Sequence, residues 1–125
     1  EYGVPVKRIA CCGGIAEKSP LTMQIYADVT GRPMKVSRSA QTCALGSAMA
    51  GAVVAGVHKN FAAAQRKMTG LKSKIYKPNP PAHKIYRELY ALYKELHDAF
   101  GTKTWHGNLF NVMKQLIDIR NRVRR

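Results

Sequence analysis

Gly13 and Gly14 are the residues of this sequence best suited to meet a ligand. They follow an apolar run, Val4 to Cys12 (VPVKRIACC), and stand a few residues before Ser19-Pro20, which has the form of a helix start. A glycine pair there lets the main chain pass against a flat or anionic group without a side-chain clash, and a helix N-terminus close by supplies amide donors and positive potential. An ordinary turn after a strand uses the same residues, so the pair by itself leaves turn and nucleotide site both open.

The other groups with chemical potential do not assemble. The seven acids are Glu1, Glu17, Asp28, Glu88, Glu95, Asp98 and Asp118. Five of them (Asp28, Glu88, Glu95, Asp98, Asp118) fall in helical patterns, where solvent exposure or a surface ion pair is the usual role. His58, His83, His97 and His106 show no metal-ligand spacing, and neither a Gly-x-Ser-x-Gly elbow nor a Walker-type loop is present. Cys11, Cys12 and Cys43 fit neither a disulfide framework nor a Cys-x-x-Cys knuckle. They are expected to be small buried side chains in a reducing, cytoplasmic setting. No catalytic residue and no metal ligand is assigned.

The elements that would hold the glycine pair can be read from spacing. The run at 4–12 is a strand candidate that stops at Gly13. Ser19 can cap a helix, Pro20 suits its first position, Leu21, Ile25 and Val29 follow at spacing four, and Gly31 closes it. After Arg32-Pro33, Met34 and Val36 alternate with Lys35 and Ser37 as a second strand. A helical crossover of about a dozen residues places the two strands parallel in one sheet. From Thr42 the chain reads TCALGSAMAGAVVAG, a helix of small and apolar residues expected to be buried against that sheet. Gly46 and Gly51 inside it, each costing about 1 kcal/mol relative to Ala, point to close packing or a nearby ligand.

Residues 58–81 read as a connecting surface segment, with a short helical piece around Phe61 to Met68 and a basic stretch ending at Lys77-Pro-Asn-Pro-Pro81. From Ala82 an amphipathic helix carries Ile85, Leu89, Leu92, Leu96 and Phe100 on one stripe, with Tyr86, Tyr90 and Tyr93 as its half-buried border. A last helix from about Leu109 turns Leu109, Val112, Met113, Leu116, Ile119 and Val123 inward. The organisation is therefore 1–57, a strand-helix-strand-helix unit; 58–81, a connector; and 82–125, a helical part. The class is α/β.

Composition bounds the partners. With 46% apolar residues the chain can bury a core, and its longest low-polarity stretch, Ala44 to Val57, falls short of the ~20 residues that span a bilayer. The net charge of +14 would suit a nucleic-acid binder. Yet the basic residues run from Lys7 to Arg125, with a dense cluster only at Arg120, Arg122, Arg124 and Arg125, and no nucleic-acid-binding motif accompanies them. A solvated basic surface, or a face set against an acidic remainder of a larger protein, is the expectation, with neither nucleic acid nor membrane as partner. The start, Glu-Tyr-Gly-Val, reads as a cut through a longer chain.

The order of the motifs carries a resemblance. Gly13 to Gly56 contains the Gly-Gly pair, a capped helix with Met23-Gln24 in its first turns, Gly-Arg-Pro at 31–33 and Ala-Leu-Gly-Ser-Ala at 44–48. This stretch resembles the carboxy-terminal signature of the FGGY carbohydrate kinases. Gln41, three residues before the Ala-Leu-Gly where many members carry Glu, resembles the branch that acts on L-ribulose, as does the tail from Tyr76 to Gly101. A xylulose- or glycerol-kinase-like member and, further off, a basic nucleic-acid-binding module are the alternatives.

The resemblance implies the last part of the second RNase H-like domain of an actin- or hexokinase-like ATPase. It implies ATP and Mg²⁺ as cofactors, L-ribulose as substrate, and γ-phosphoryl transfer to its 5-hydroxyl. It further implies that Gly13 and Gly14 line the nucleotide through backbone contacts, that Ile15 and Ala16 follow on the same loop, and that Lys18 stands where some glycerol kinases place Asn against the nucleotide. In this family the base and the first phosphate-binding turn lie upstream of such a stretch, so the segment alone is expected to be inactive. A sheet cut from its domain leaves an open edge and apolar face, and self-association is expected.

Overall fold

The computed structural model describes residues 3, 5, 6 and 8–124. Val4 and Lys7 of the first expected strand, and Arg125 of the basic cluster, lie outside the described residues. The chain divides into two compact units, one ending at Pro78 and one beginning at Asn79.

The first unit is built on a three-stranded sheet. Strand β1, Ile9–Cys11, pairs in parallel with β2, Met34–Ser37, with Ile9 opposite Met34 and Cys11 opposite Val36. Between them lie α1, Gly14–Lys18, and α2, Pro20–Thr30. The expected strand-helix-strand unit is present, with a shorter first strand and a separate five-residue helix directly after the glycines. Ser19 caps α2, its hydroxyl accepting from the Thr22 N–H at 3.3 Å, with Pro20 at the first position. Gly31 ends α2 in the left-handed region at φ 64°, where a side chain would be strained.

Residues 58–81, expected as a connector, carry the third strand. After α3, Thr42–Val54, and α4, Phe61–Met68, the chain forms β3, Leu71–Tyr76, antiparallel to β2 with Met34 opposite Tyr76 and Lys35 opposite Ile75. The sheet order is β1-β2-β3, so β2 is central. Beyond it the Arg38 N–H donates to the Gly70 carbonyl at 2.9 Å, and the Arg38 guanidinium donates to the Thr69 carbonyl.

The core of this unit is Ala16, Met23, Ala27, Met34, Val36 and Tyr76, with Ile9 and Cys11 packed against it. Met23 is only 1% exposed. The stripe expected to define α2 is corrected by this arrangement. Leu21 is 71% exposed and Val29 is also exposed, whereas Met23 and Ala27, equally four apart, face the sheet. The helix is apolar on two sides, and periodicity could not say which side the sheet would take.

The expectation that α3 is buried against the sheet also fails within this chain. It packs against α4, where Ala64 is fully enclosed, and only Met49 of α3 is buried. Among the described residues no atom lies within 4 Å of a Cβ built on Gly46 or Gly51, so their packing requires neither glycine. The cysteines depart from expectation too: Cys12 and Cys43 are exposed, and Cys11 is half-buried with its thiol 3.8 Å from the Met34 sulfur.

The second unit is a helical pair. Helix α5, Pro80–Gly101, starts with Asn79 as cap, its side chain accepting from the Ala82 N–H. Helix α6, Val112–Val123, lies along it, with Leu92, Val112 and Ile119 buried. Phe100 at 84% exposed, together with Met113 and Val123, leaves the expected inward stripe. Tyr86 is half-buried as expected, but Tyr90 and Tyr93 are exposed, with ring centroids 6.1 Å apart. Among the described residues no helix is long and apolar enough to cross a membrane.

Candidate functional site

The glycine pair sits at the junction of β1 and α1. Gly13 is the residue before the helix, at φ 90° and ψ 176°, a combination open essentially to glycine alone. Among the described residues no atom lies within 4 Å of a Cβ built on Gly13 or Gly14, so Gly13 is needed for its dihedral angles and the described chain leaves the space before both residues open. The Glu17 N–H donates to the Gly13 carbonyl at 3.1 Å and closes the first turn of α1, and the first amides of a helix face outward past its N-terminus.

The five residues singled out from the sequence lie in one segment but do different things. Gly14 is exposed, Ile15 is 62% exposed, and Lys18 is exposed at the end of α1. Ala16, by contrast, is 6% exposed with its methyl group in the core, so only its backbone remains available to a ligand. In a helix of about one turn only one side chain faces the sheet, and here that residue is Ala16.

Two polar links escaped sequence reasoning. Lys72 of β3 holds both carboxylate oxygens of Glu17, at 2.5 and 2.6 Å. Asp28, expected at the surface, is a buried residue of α2, where the Gln24 side-chain amide donates to it at 2.8 Å; the same nitrogen donates to the Lys77 carbonyl at 2.8 Å. The spacing of four between Gln24 and Asp28 was a readable helical pair, but Lys72 and Lys77 enter only because β3 joins the sheet. Burial, with the neighbouring Cys12 adding to it, pushes the Cys11 thiol above its ordinary range. Among the described residues no group of three or more His, Cys, Asp or Glu side chains could hold a metal ion.

A glycine turn between a parallel strand and a helix, in an α/β unit followed by a helical pair, defines a known class. Residues 1–55 match the C-terminal domain of the FGGY family of carbohydrate kinases, and the chain belongs to that family. Its curated relatives include ribulokinases. That of Bacillus licheniformis is 44% identical over 97% of this chain and 22% of its own length, and that of Shouchella clausii is 41% identical over 99% and 22%. The ribulokinase of Mycolicibacterium smegmatis is 44% identical over 79% of this chain and 17% of its own. The chain thus spans about a fifth of the length of these relatives.

Two solved structures share the fold over 76% of this chain and 19% of their own. They are a ligand-bound xylulose kinase from Lactobacillus acidophilus, with TM-score 0.64 and 22% identity, and a gluconate kinase from the same organism, with TM-score 0.63 and 23% identity.

Proposed function

We propose that this chain is the carboxy-terminal part of an ATP-dependent ribulokinase, which transfers the γ-phosphoryl group of ATP to the 5-hydroxyl of L-ribulose. The observation that carries the reading is identity of 41–44% to ribulokinases along nearly the whole chain. The geometry supports a nucleotide wall at residues 13–18. Gly13 and Gly14 offer backbone with open space before it, the Ile15 side chain offers an apolar surface for a base or ribose, and Lys18 places a cation within one helical turn. The net charge of +14 adds a field that attracts a polyphosphate.

Phosphoryl transfer works mainly by positioning and charge stabilisation, with Mg²⁺ neutralising the phosphates when the nucleotide binds. The described residues provide no side-chain cluster for that ion. Their part is to bind and orient the nucleotide, while the base that activates the sugar hydroxyl belongs to another part of the enzyme. On this reading the 125-residue segment alone is inactive, and it self-associates through its open sheet edges, since among the described residues β1 and β3 each pair only with β2. Three free thiols accord with a reducing cytoplasm.

The test is a coupled assay of ADP release by the complete polypeptide carrying this sequence, offered L-ribulose, D-xylulose and glycerol. Turnover with L-ribulose is expected at the highest kcat/KM. Preference for xylulose or glycerol, or no sugar-dependent release, would overturn the assignment.

A further inference from the structure

We infer that Lys72 and Glu17 are positioning residues for the Gly13-Gly14 turn, holding it in the form that receives the nucleotide; this rests on the reading of residues 13–18 as a nucleotide wall. A helix of five residues cannot hold itself, since a single turn forms too few hydrogen bonds to offset the order it imposes. Helix α1 must therefore be kept in place by what it touches. Two contacts do so: the Ala16 methyl group in the core, and the Glu17 carboxylate, both of whose oxygens meet the Lys72 ammonium of β3.

Glu17 is in addition the residue whose backbone N–H binds the Gly13 carbonyl. Glu17 thus ties Lys72 of β3, 55 residues further along the sequence, through its side chain to the glycine through its main chain. The Gly13 carbonyl belongs to the Gly13–Gly14 peptide, so holding that oxygen sets the direction in which the Gly14 N–H points.

The pair is about one-third exposed on each side, 38% for Lys72 and 34% for Glu17. Ion pairs so placed add little to global stability. Breaking this one should loosen the turn while leaving the fold in place, which separates positioning from mere support. The alternative role for Lys72, direct attraction of phosphate, predicts the opposite sign at its partner, because removing the Glu17 charge would free the ammonium for the nucleotide.

The experiment compares Lys72→Met, Glu17→Gln and the exchanged pair Glu17→Lys with Lys72→Glu in the complete polypeptide. Each single variant is expected to raise KM for ATP about tenfold, with KM for the sugar and Tm unchanged, and the exchanged pair to recover most of the loss. Unchanged KM for ATP in both single variants, or tighter ATP binding in Glu17→Gln, would overturn the proposal. Amide hydrogen exchange at residues 14–18 in the 125-residue chain gives a readout independent of catalysis. Faster exchange in Lys72→Met supports the fastening even if the wild-type protein proves not to use ATP, and unchanged exchange refutes it.

Discussion

Gln24 spans 53 residues of sequence to donate from Nε2 to the Lys77 carbonyl at 2.8 Å, and the same nitrogen donates to the buried Asp28 carboxylate at 2.8 Å. Both hydrogens of one side-chain amide are engaged, fastening α2 to the end of β3 at the side of the sheet where Tyr76 closes the core. Gln24→Ala should destabilise the 125-residue chain by about 1–2 kcal/mol through loss of these bonds. Urea denaturation measures the shift, and a change within error would show that water replaces the amide without cost.

The two kinds of glycine should respond in opposite directions. Gly13→Ala forces a side chain into a glycine-only region and is expected to cost about 1–3 kcal/mol, although nothing stands near enough to clash with the methyl group. Gly46→Ala places a Cβ in open space inside α3 and should stabilise the isolated chain by about 1 kcal/mol. Denaturation midpoints of the two variants against wild type check both signs.

Among the described residues Met23 is the largest fully enclosed side chain, in the cluster it forms with Ala16, Ala27, Met34, Val36 and Tyr76. Met23→Ala should cost about 2–5 kcal/mol. Leu21→Ala, two residues earlier on the exposed side of the same helix, should change stability by less than about 0.5 kcal/mol. Similar losses at both positions would mean that α2 faces the sheet differently.

Thiol alkylation separates the cysteines. Cys12 and Cys43 are exposed and should react first, while Cys11 is half-buried and its thiol holds its proton above the ordinary range because of burial and then Cys12. The thiolate is the reactive form, so Cys11 should require a higher pH than an ordinary thiol does. A raised folded-state pKa contributes stability that is complete below the ordinary thiol pKa and is lost as pH rises through the raised value. Mass-resolved labelling over a pH series gives the order of reaction.

The elements closed by local chemistry were legible. Ser19-Pro20 and Gly31 bracket α2 through a hydroxyl cap and a left-handed residue, and both act within a few residues of chain. The alternation of Met34 and Val36 with Lys35 and Ser37 likewise predicts β2 and its buried face. β3 had no such marks. Its run Leu-Lys-Ser-Lys-Ile-Tyr reads as basic surface, because Lys72 lies on the side of the strand where Glu17 meets it and Lys74 rests over the Tyr76 ring. Charges satisfied by partners distant in sequence look like solvent-facing charges until the partners are known.

The sequence by itself determined the family, the glycine turn, the capped helix and the parallel strand pair, because each depends on residue types at short, regular spacing. Only the tertiary structure decided which apolar side of α2 enters the core, that the Ala16 methyl group joins that core while Ile15 stays exposed, and that Glu17 and Gln24 fasten α1 and α2 to β3 and the residue after it. Those outcomes depend on which surface is presented to which, and a helix apolar on two sides or a lysine in a basic run becomes specific only when the sheet assembles against it.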